Sequence, residues 1–212
     1  MTVPIRKPAE GLGLDRETTL RLHGRHCIAG LDEVGRGPLA GPVVAAAVVL
    51  NPASVPPGLA DSKKLTAARR EALFAEILAS AQVGVGSVSQ AAIDAINIRQ
   101  ASLQAMCRAL AALPCRPDLA LVDGNDPPDL PCAVEAVVKG DASIASIAAA
   151  SIVAKVVRDR MMRRLDSLYP AYGFATNAGY STAAHLAALA EHGPCPLHRR
   201  SFSPIRQMAG AG

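Results

Sequence analysis

Tryptophan is absent from the chain, and aromatic residues of all kinds make up only 3% of it. A protein that grips single strands by stacking bases on aromatic platforms is poorly provided for by this composition, which counts against a purely binding module. Long hydrophobic runs are missing too. The most apolar stretches, residues 43–50 and 144–154, fall short of the roughly 18 residues that a bilayer-spanning helix needs. Near the N-terminus, Pro4, Arg6, Lys7 and Glu10 interrupt any candidate signal-peptide core. The cysteines Cys27, Cys107, Cys115, Cys132 and Cys195 are odd in number and scattered, with no CxxC spacing. That pattern excludes a disulfide framework or a zinc ribbon and predicts free thiols in a reducing, cytoplasmic setting. Internal repeats and low-complexity tracts are likewise absent.

What remains is a chain of 212 residues, half of them hydrophobic and 19% charged, long enough to bury a full core as one compact domain. Small Ala and Val side chains dominate the apolar share and favour close packing of helices on a sheet. The formal charge of +4 suits a phosphate-bearing partner but is too common to identify one.

The hydrophobic pattern predicts strands first and then alternating helices and strands. After a polar leader (residues 1–25), residues 27–34 (CIAGLDEV) read as a strand entering the turn GRGPLAGP. Residues 43–50 are apolar throughout, as in a strand covered on both faces. Thr66 is placed to cap a helix with Leu73, Phe74, Ile77 and Leu78 on one face, and residues 82–89 alternate like a strand. A helix follows from Ser89, with Ile93, Ile96, Leu103, Met106 and Leu110 at helical spacing, before Pro114. LALVDG and residues 133–138 read as two further strands. Ser143 is expected to open a long helix burying Ile144, Ile147, Ala148, Ile152 and Val156. Arg158, Arg160, Arg163 and Arg164 near its end either complement the helix dipole or meet nucleic acid. A short helix over 183–191 completes a mixed-sheet α/β domain with a helical C-terminal cap.

Four acids lie where strands end or helices begin: Asp32, Glu33, Asp123 and Asp141. In open α/β sheets such positions face one crevice. Carboxylates brought together there repel, so either a proton is taken up or a cation compensates them. With no His beside them, the implied site is an all-oxygen Mg²⁺ or Mn²⁺ site. Adjacent strand residues face opposite ways, so Asp32 and Glu33 share one site only if the strand ends or bulges there, which Gly35 and Gly37 would allow. Taken singly, each acid also has an ordinary explanation as a turn, pre-helix or solvated residue.

The strings IAGLDEVGRGPLAGPVVAAAVVL, ADSKKLT, LVDGN, VVKGDASIASIAAASIVAKVVRDRMM, YGFATNAGYST and GPCPLHRRSFSPI resemble prokaryotic type 2 ribonuclease H, ribonuclease HII, from about Cys27 to Ile205. The resemblance implies a ribonuclease H-like mixed sheet flanked by helices, with residues 26–166 as catalytic domain and 167–212 as a helical extension packed on it. It implies that Asp32, Glu33, Asp123 and Asp141 are catalytic and bind metal, that Gly35, Arg36 and Gly37 sense a ribose 2′-hydroxyl at close range, and that the Tyr180 ring packs on a neighbouring deoxyribose. The activity implied is two-metal-ion endonucleolytic cleavage of the RNA strand of RNA/DNA hybrids, and 5′ of ribonucleotides in duplex DNA, leaving 3′-hydroxyl and 5′-phosphate ends. Lys63, Lys64, Lys139 and the N-terminus of the long helix are candidates for holding phosphate, Lys63 foremost. The chain is expected to act as a monomer.

Two departures from the family pattern, Ser143 in place of a basic residue and TNAGYST in place of a lysine-rich run, predict fewer cations along the substrate path. Asp61, Asn97, Glu135 and His185 are explained by loop, cap and surface roles. A rival reading, a junction resolvase on the same fold, differs in lacking a 2′-hydroxyl requirement.

Overall fold

Residues 43–50, apolar at every position, lie where such a stretch must, inside a sheet covered on both faces. The computed structural model describes residues 12–209. In chain order the elements are α1 (Asp15–Leu22), β1 (Ile28–Val34), β2 (Val43–Leu50), α2 (Ala67–Ser80), β3 (Ala81–Val88), α3 (Gln90–Ala111), β4 (Leu119–Asp123), β5 (Ala133–Val137), α4 (Ala145–Asp166), α5 (Phe174–Asn177), α6 (Ala183–His192) and α7 (Ile205–Ala209). The sheet order is β3-β2-β1-β4-β5, antiparallel among the first three strands and parallel from β1 to β5. This is the mixed α/β sheet that the sequence predicts. Among the described residues no helix is long and apolar enough to cross a membrane.

Alternation along β1 and β2 divides the core into two layers. Ala29, Leu31, Val43, Ala45 and Ala47 face α3, where Ala101, Ala105, Met106 and Ala109 close the layer. Ala46, Val48 and Leu50 face α4 and α2, against Ala149, Ala150, Ile152, Val153, Leu73, Phe74 and Ile77. The small residues let α4 settle onto β1: a Cβ on Gly30 would stand 2.2 Å from the Ser146 carbonyl carbon and 2.3 Å from the Ile147 nitrogen. A third cluster, Leu39, Ala40, Met162, Tyr172, Phe174, Leu189 and Ile205, joins the residues beyond α4 to the turn after β1.

Four local expectations need correction. Residues 15–22, read as part of a polar leader, form a helix whose Glu17 is buried and accepts the Ser146 amide at 2.9 Å. That remote carboxylate serves the N-terminus of α4, whereas Ser143 does not cap it. The Ser143 hydroxyl donates to the Lys139 carbonyl within a 3-10 turn over Gly140–Ala142, which delays the helix. On α2, Leu73, Phe74 and Ile77 are buried but Leu78 is exposed. In α3, Asn97 breaks the helix at φ 66° and ψ 164°, and its side-chain oxygen accepts the Gln100 amide as a new cap. The break shifts the phase, so Ile96 turns outward and the buried face continues through Ala101, Ala105 and Ala109. The cap at Thr66 forms as expected, and Thr182 caps α6 in the same way.

The contact of β1 with α4 yields a direct test. Gly30→Ala should cost roughly 1–3 kcal/mol, the usual range for overpacking, because its Cβ meets backbone rather than a movable side chain. The melting temperature read by calorimetry should fall by several degrees. An unchanged value would show that α4 is free to shift.

Candidate active site

β1 and β4 run parallel, with Leu31 opposite Val122, so the next residues in each strand, Asp32 and Asp123, come to the same rim of the sheet. Beyond that point β4 turns away at Gly124, whose φ is 96°, and leaves that side of β1 open. The expected irregularity at Asp32 is not found. Register with β2 continues through Asp32↔Ala46, Glu33↔Ala45 and Val34↔Val44 without a bulge. Asp32 therefore lies on the α4 side and Glu33 on the α3 side, and it is the early end of β4 that lets both reach the rim where Asp123 stands. Asp141 arrives from the 3-10 turn after β5: Asp123 Oδ1 accepts the Gly140 amide at 2.7 Å and the Asp141 amide at 3.4 Å.

The electrostatics show how closely these acids feel one another. Asp32 and Asp141 are each only 7% exposed. Burial, then Glu33, then Asp123 raise the Asp32 carboxyl well above the usual range, against hydrogen bonds from Ser151 and the Glu33 amide. Burial also raises Glu33, opposed by the Arg36 guanidinium that bonds it at 3.2 Å. Burial and Asp141 raise Asp123, opposed by the two amides it accepts. Lys63 Nζ stands 3.4 Å from Asp141 Oδ2. Its own burial opposes the charge, but Asp141, Asp61 and Asp32 outweigh that and raise it.

The structure thus brings Asp32, Glu33, Asp123, Asp141 and Lys63 to one rim. Among the described residues, no three His, Cys, Asp or Glu side chains close on a common point as a finished metal cage. Each carboxylate here is turned onto an amide, a hydroxyl or a cation instead. The donor set itself fits a hard divalent ion: it is all carboxylate oxygen, and among the described residues Asp32 is buried without an ion pair of its own, since Arg36 and Lys63 lean on Glu33 and Asp141. The hollow lined by Glu33, Arg36, Arg99, Ser102 and Asp123 is small, about 140 Å³. A larger cavity of about 640 Å³, lined by Cys107, Leu113, Cys115 and Cys132, lies at the opposite ends of β4 and β5. The hollow beside Glu33 and Asp123 is thus smaller than the roughly 300–1,000 Å³ of a usual small-molecule pocket.

Beside the acids, the turn Gly35–Gly37 rests on a fully buried guanidinium that sequence reasoning missed. Arg199 donates to the carbonyls of Gly35 (2.6 Å), Arg36 (2.9 Å) and Gly41 (3.0 and 2.9 Å). A trans peptide directs its C=O and N–H oppositely, so the Arg36 and Gly37 amides point away from Arg199, at residues that are themselves exposed. Arg158, expected to complement a dipole or meet nucleic acid, is buried and donates to Pro42, Ala178 and Ala40 carbonyls. Of the other cations of that run, Arg160 and Arg163 pair with Glu71. Gly35 sits at φ 94°, and a Cβ there would meet Arg158 Nε at 2.2 Å, so only glycine fits. The Tyr180 ring is 43% exposed and lies 3.7 Å from where a Gly37 Cβ would stand, a surface position next to the turn. No signal in the sequence marked Arg158 and Arg199 as buried, because their partners are main-chain carbonyls.

Comparison with known proteins places the chain in a family. The family model for ribonuclease HII matches residues 29–205. A ribonuclease HII of Xanthobacter autotrophicus is 60% identical over 197 residues, 93% of this chain and 79% of that protein. One from Sinorhizobium medicae is 55% identical over 206 residues, covering 97% and 94% respectively. The crystal structure of the ribonuclease H2 from Pyrococcus horikoshii superposes with a TM-score of 0.74 at 27% identity, over 88% of this chain and 98% of that one. Fold and sequence agree, and the chain belongs to the ribonuclease HII family.

Proposed function

We propose that this enzyme, beyond hydrolysing the RNA of RNA/DNA hybrids as a metal-dependent type 2 ribonuclease H, cuts on the 5′ side of single ribonucleotides embedded in duplex DNA. The products would carry 3′-hydroxyl and 5′-phosphate ends. The observation that carries this reading is the juxtaposition of four acids from three separate segments with the outward amides of Arg36 and Gly37 and the exposed ring of Tyr180.

In this reading Asp32, Glu33, Asp123 and Asp141 would hold two Mg²⁺ or Mn²⁺ ions. The chemistry such ions supply when bound is activation of a water and neutralisation of charge on the phosphate. The chain's own residues do the recognition. The Arg36 and Gly37 amides approach the ribose 2′-hydroxyl, which is the chemical difference between the ribonucleotide and its DNA neighbours. Lys63, whose side chain is 79% exposed, reaches a phosphate oxygen while remaining beside Asp141. The Tyr180 ring covers the sugar of the following DNA nucleotide and sets the scissile phosphate over the acids. We assign residues 26–166 to catalysis and 167–212 to the extension that delivers Tyr180, and we take the protein to act as a cytoplasmic monomer.

Cleavage of matched duplexes tests the central step. A DNA duplex holding one ribonucleotide should be cut once, immediately 5′ of it, and the all-DNA duplex should stay intact. Equal cutting of both would indicate a general nuclease, such as a resolvase.

Tyr180 supplies a second test. Tyr180→Phe should keep most cleavage at the ribonucleotide, whereas Tyr180→Ala should lose an amount on the order of the ~1–3 kcal/mol of a lost aromatic stacking contact. Because the ring is half exposed, the Ala variant should melt close to wild type. A large fall in melting temperature with parallel loss on every substrate would contradict the assignment.

A further inference from the structure

Tyr180 is exposed, yet its backbone is held by a buried chain of hydrogen bonds that the reading above does not use. The Tyr180 carbonyl accepts from His185 Nδ1 at 2.8 Å, and His185 Nε2 lies 3.0 Å from His198 Nε2. His198 Nδ1 in turn accepts the Cys195 amide at 3.0 Å. Only one arrangement of protons satisfies all three contacts. Since Cys195 N–H occupies Nδ1 as an acceptor, His198 carries its proton on Nε2 and donates to His185, whose own proton is on Nδ1 and goes to Tyr180. Burial and the neighbouring imidazole keep His198 neutral, down to about 4, and burial lowers His185 as well. Both rings are buried, 0% and 2% exposed, and pack against the stacked rings of Tyr172 and Phe174.

The next residue in the chain faces the other way. His198 makes a bridge with Ala40, so His198 and Arg199 project to opposite sides, as consecutive extended residues do. Arg199 reaches the carbonyls of Gly35 and Arg36, and its amide donates to the Leu39 carbonyl at 2.8 Å. The Leu39 amide donates to the Gly179 carbonyl at 2.8 Å, immediately before Tyr180. Two adjacent residues thus register the two parts of the substrate surface against each other, Arg199 the glycine turn and His198 the tyrosine.

We propose that His198, acting through His185, is a positioning residue for Tyr180, and that Arg199 ties it to the frame of the Gly35–Gly37 turn. The inference rests on the proposed role of Tyr180 at an embedded ribonucleotide. A residue acting in this way should affect cleavage that uses Tyr180 and leave the rest of the reaction alone.

A double-mutant cycle on the full-length protein tests it, with single-turnover rates on a duplex holding one ribonucleotide and on a uniform RNA/DNA hybrid. His198→Leu should slow the first by about tenfold while largely sparing the second, and His198→Gln, which restores a donor toward His185, should recover most of the loss. In a Tyr180→Ala background, His198→Leu should add little, because the contact it supports is already gone. If the Leu variant does not fold, His198→Asn keeps an acceptor for the Cys195 amide while removing the donor to His185, and should show the same substrate ratio. Equal loss on both substrates, or losses that multiply fully in the double variant, would overturn the proposal. A shifted ratio in Tyr180→Ala with none in the folded His198 variants would overturn it alone. Wild-type protein that cuts hybrids but not embedded ribonucleotides would instead bring down the reading on which it rests.

Discussion

Four carboxylates crowded at one rim of a sheet repel one another, and the core beneath them is what keeps them there. Neither Asp32 nor Asp123 has freedom to retreat: each stands on a strand whose preceding residues, Leu31 and Val122, are completely buried and paired. Asp141 is fixed by the turn whose amides bind Asp123, and α4 lies against Gly30 with no space for a methyl group. Burial foremost, and the neighbouring acids after it, raise the carboxyls of Asp32, Glu33 and Asp123. A rim of this kind is unfavourable for folding and favourable for binding divalent cations, because the repulsion relieved by the ion adds to its affinity.

The side of the glycine turn, proposed to read the substrate, follows a different electrostatic logic. Arg158 and Arg199 are both fully buried, and among the described residues every hydrogen-bond partner of their guanidinium groups is a main-chain carbonyl. Burial and the charge of Arg158 push Arg199 down to about 9, still protonated at neutral pH. A guanidinium presents its donors in a fixed planar fork, so one side chain holds three separate carbonyls in register. Lysine offers no such fork. The consequence for function is directional: carbonyls drawn inward leave the Arg36 and Gly37 amides facing outward, where a ribose hydroxyl would come.

Much of this was legible in the sequence, for physical reasons particular to each element. The all-apolar run of β2 and the capping threonine before α2 announced themselves through local chemistry. The four acids were visible as a set because strand ends and helix starts converge in an α/β sheet. Long-range contacts were not visible. Asn97 interrupts α3 inside an unbroken hydrophobic pattern, so Ile96 was misplaced. Glu17 looked like part of a polar leader and instead meets the start of α4 across 129 residues of sequence. His185, grouped with residues in ordinary loop, cap and surface roles, is buried, and nothing local distinguishes Arg158 from the cations that follow it. Nor did the strand need a bulge at Asp32, since the shorter neighbouring strand opens the rim instead.

The account turns on carboxylate repulsion relieved by divalent cations, and the thermal stability of Asp32→Asn against wild type tests that most directly. In the folded chain Asp32 binds its proton more readily than in the unfolded chain, so its ionised form costs stability fully above its folded pKa and not at all below the ordinary carboxylate range. With a chelator present at neutral pH, the Asn variant should therefore melt above wild type, and the gap should close as the pH falls toward that ordinary range. Adding Mn²⁺ should raise the wild-type melting temperature saturably and the variant's much less. A variant that melts below wild type in chelator and gains as much from Mn²⁺ would contradict the account.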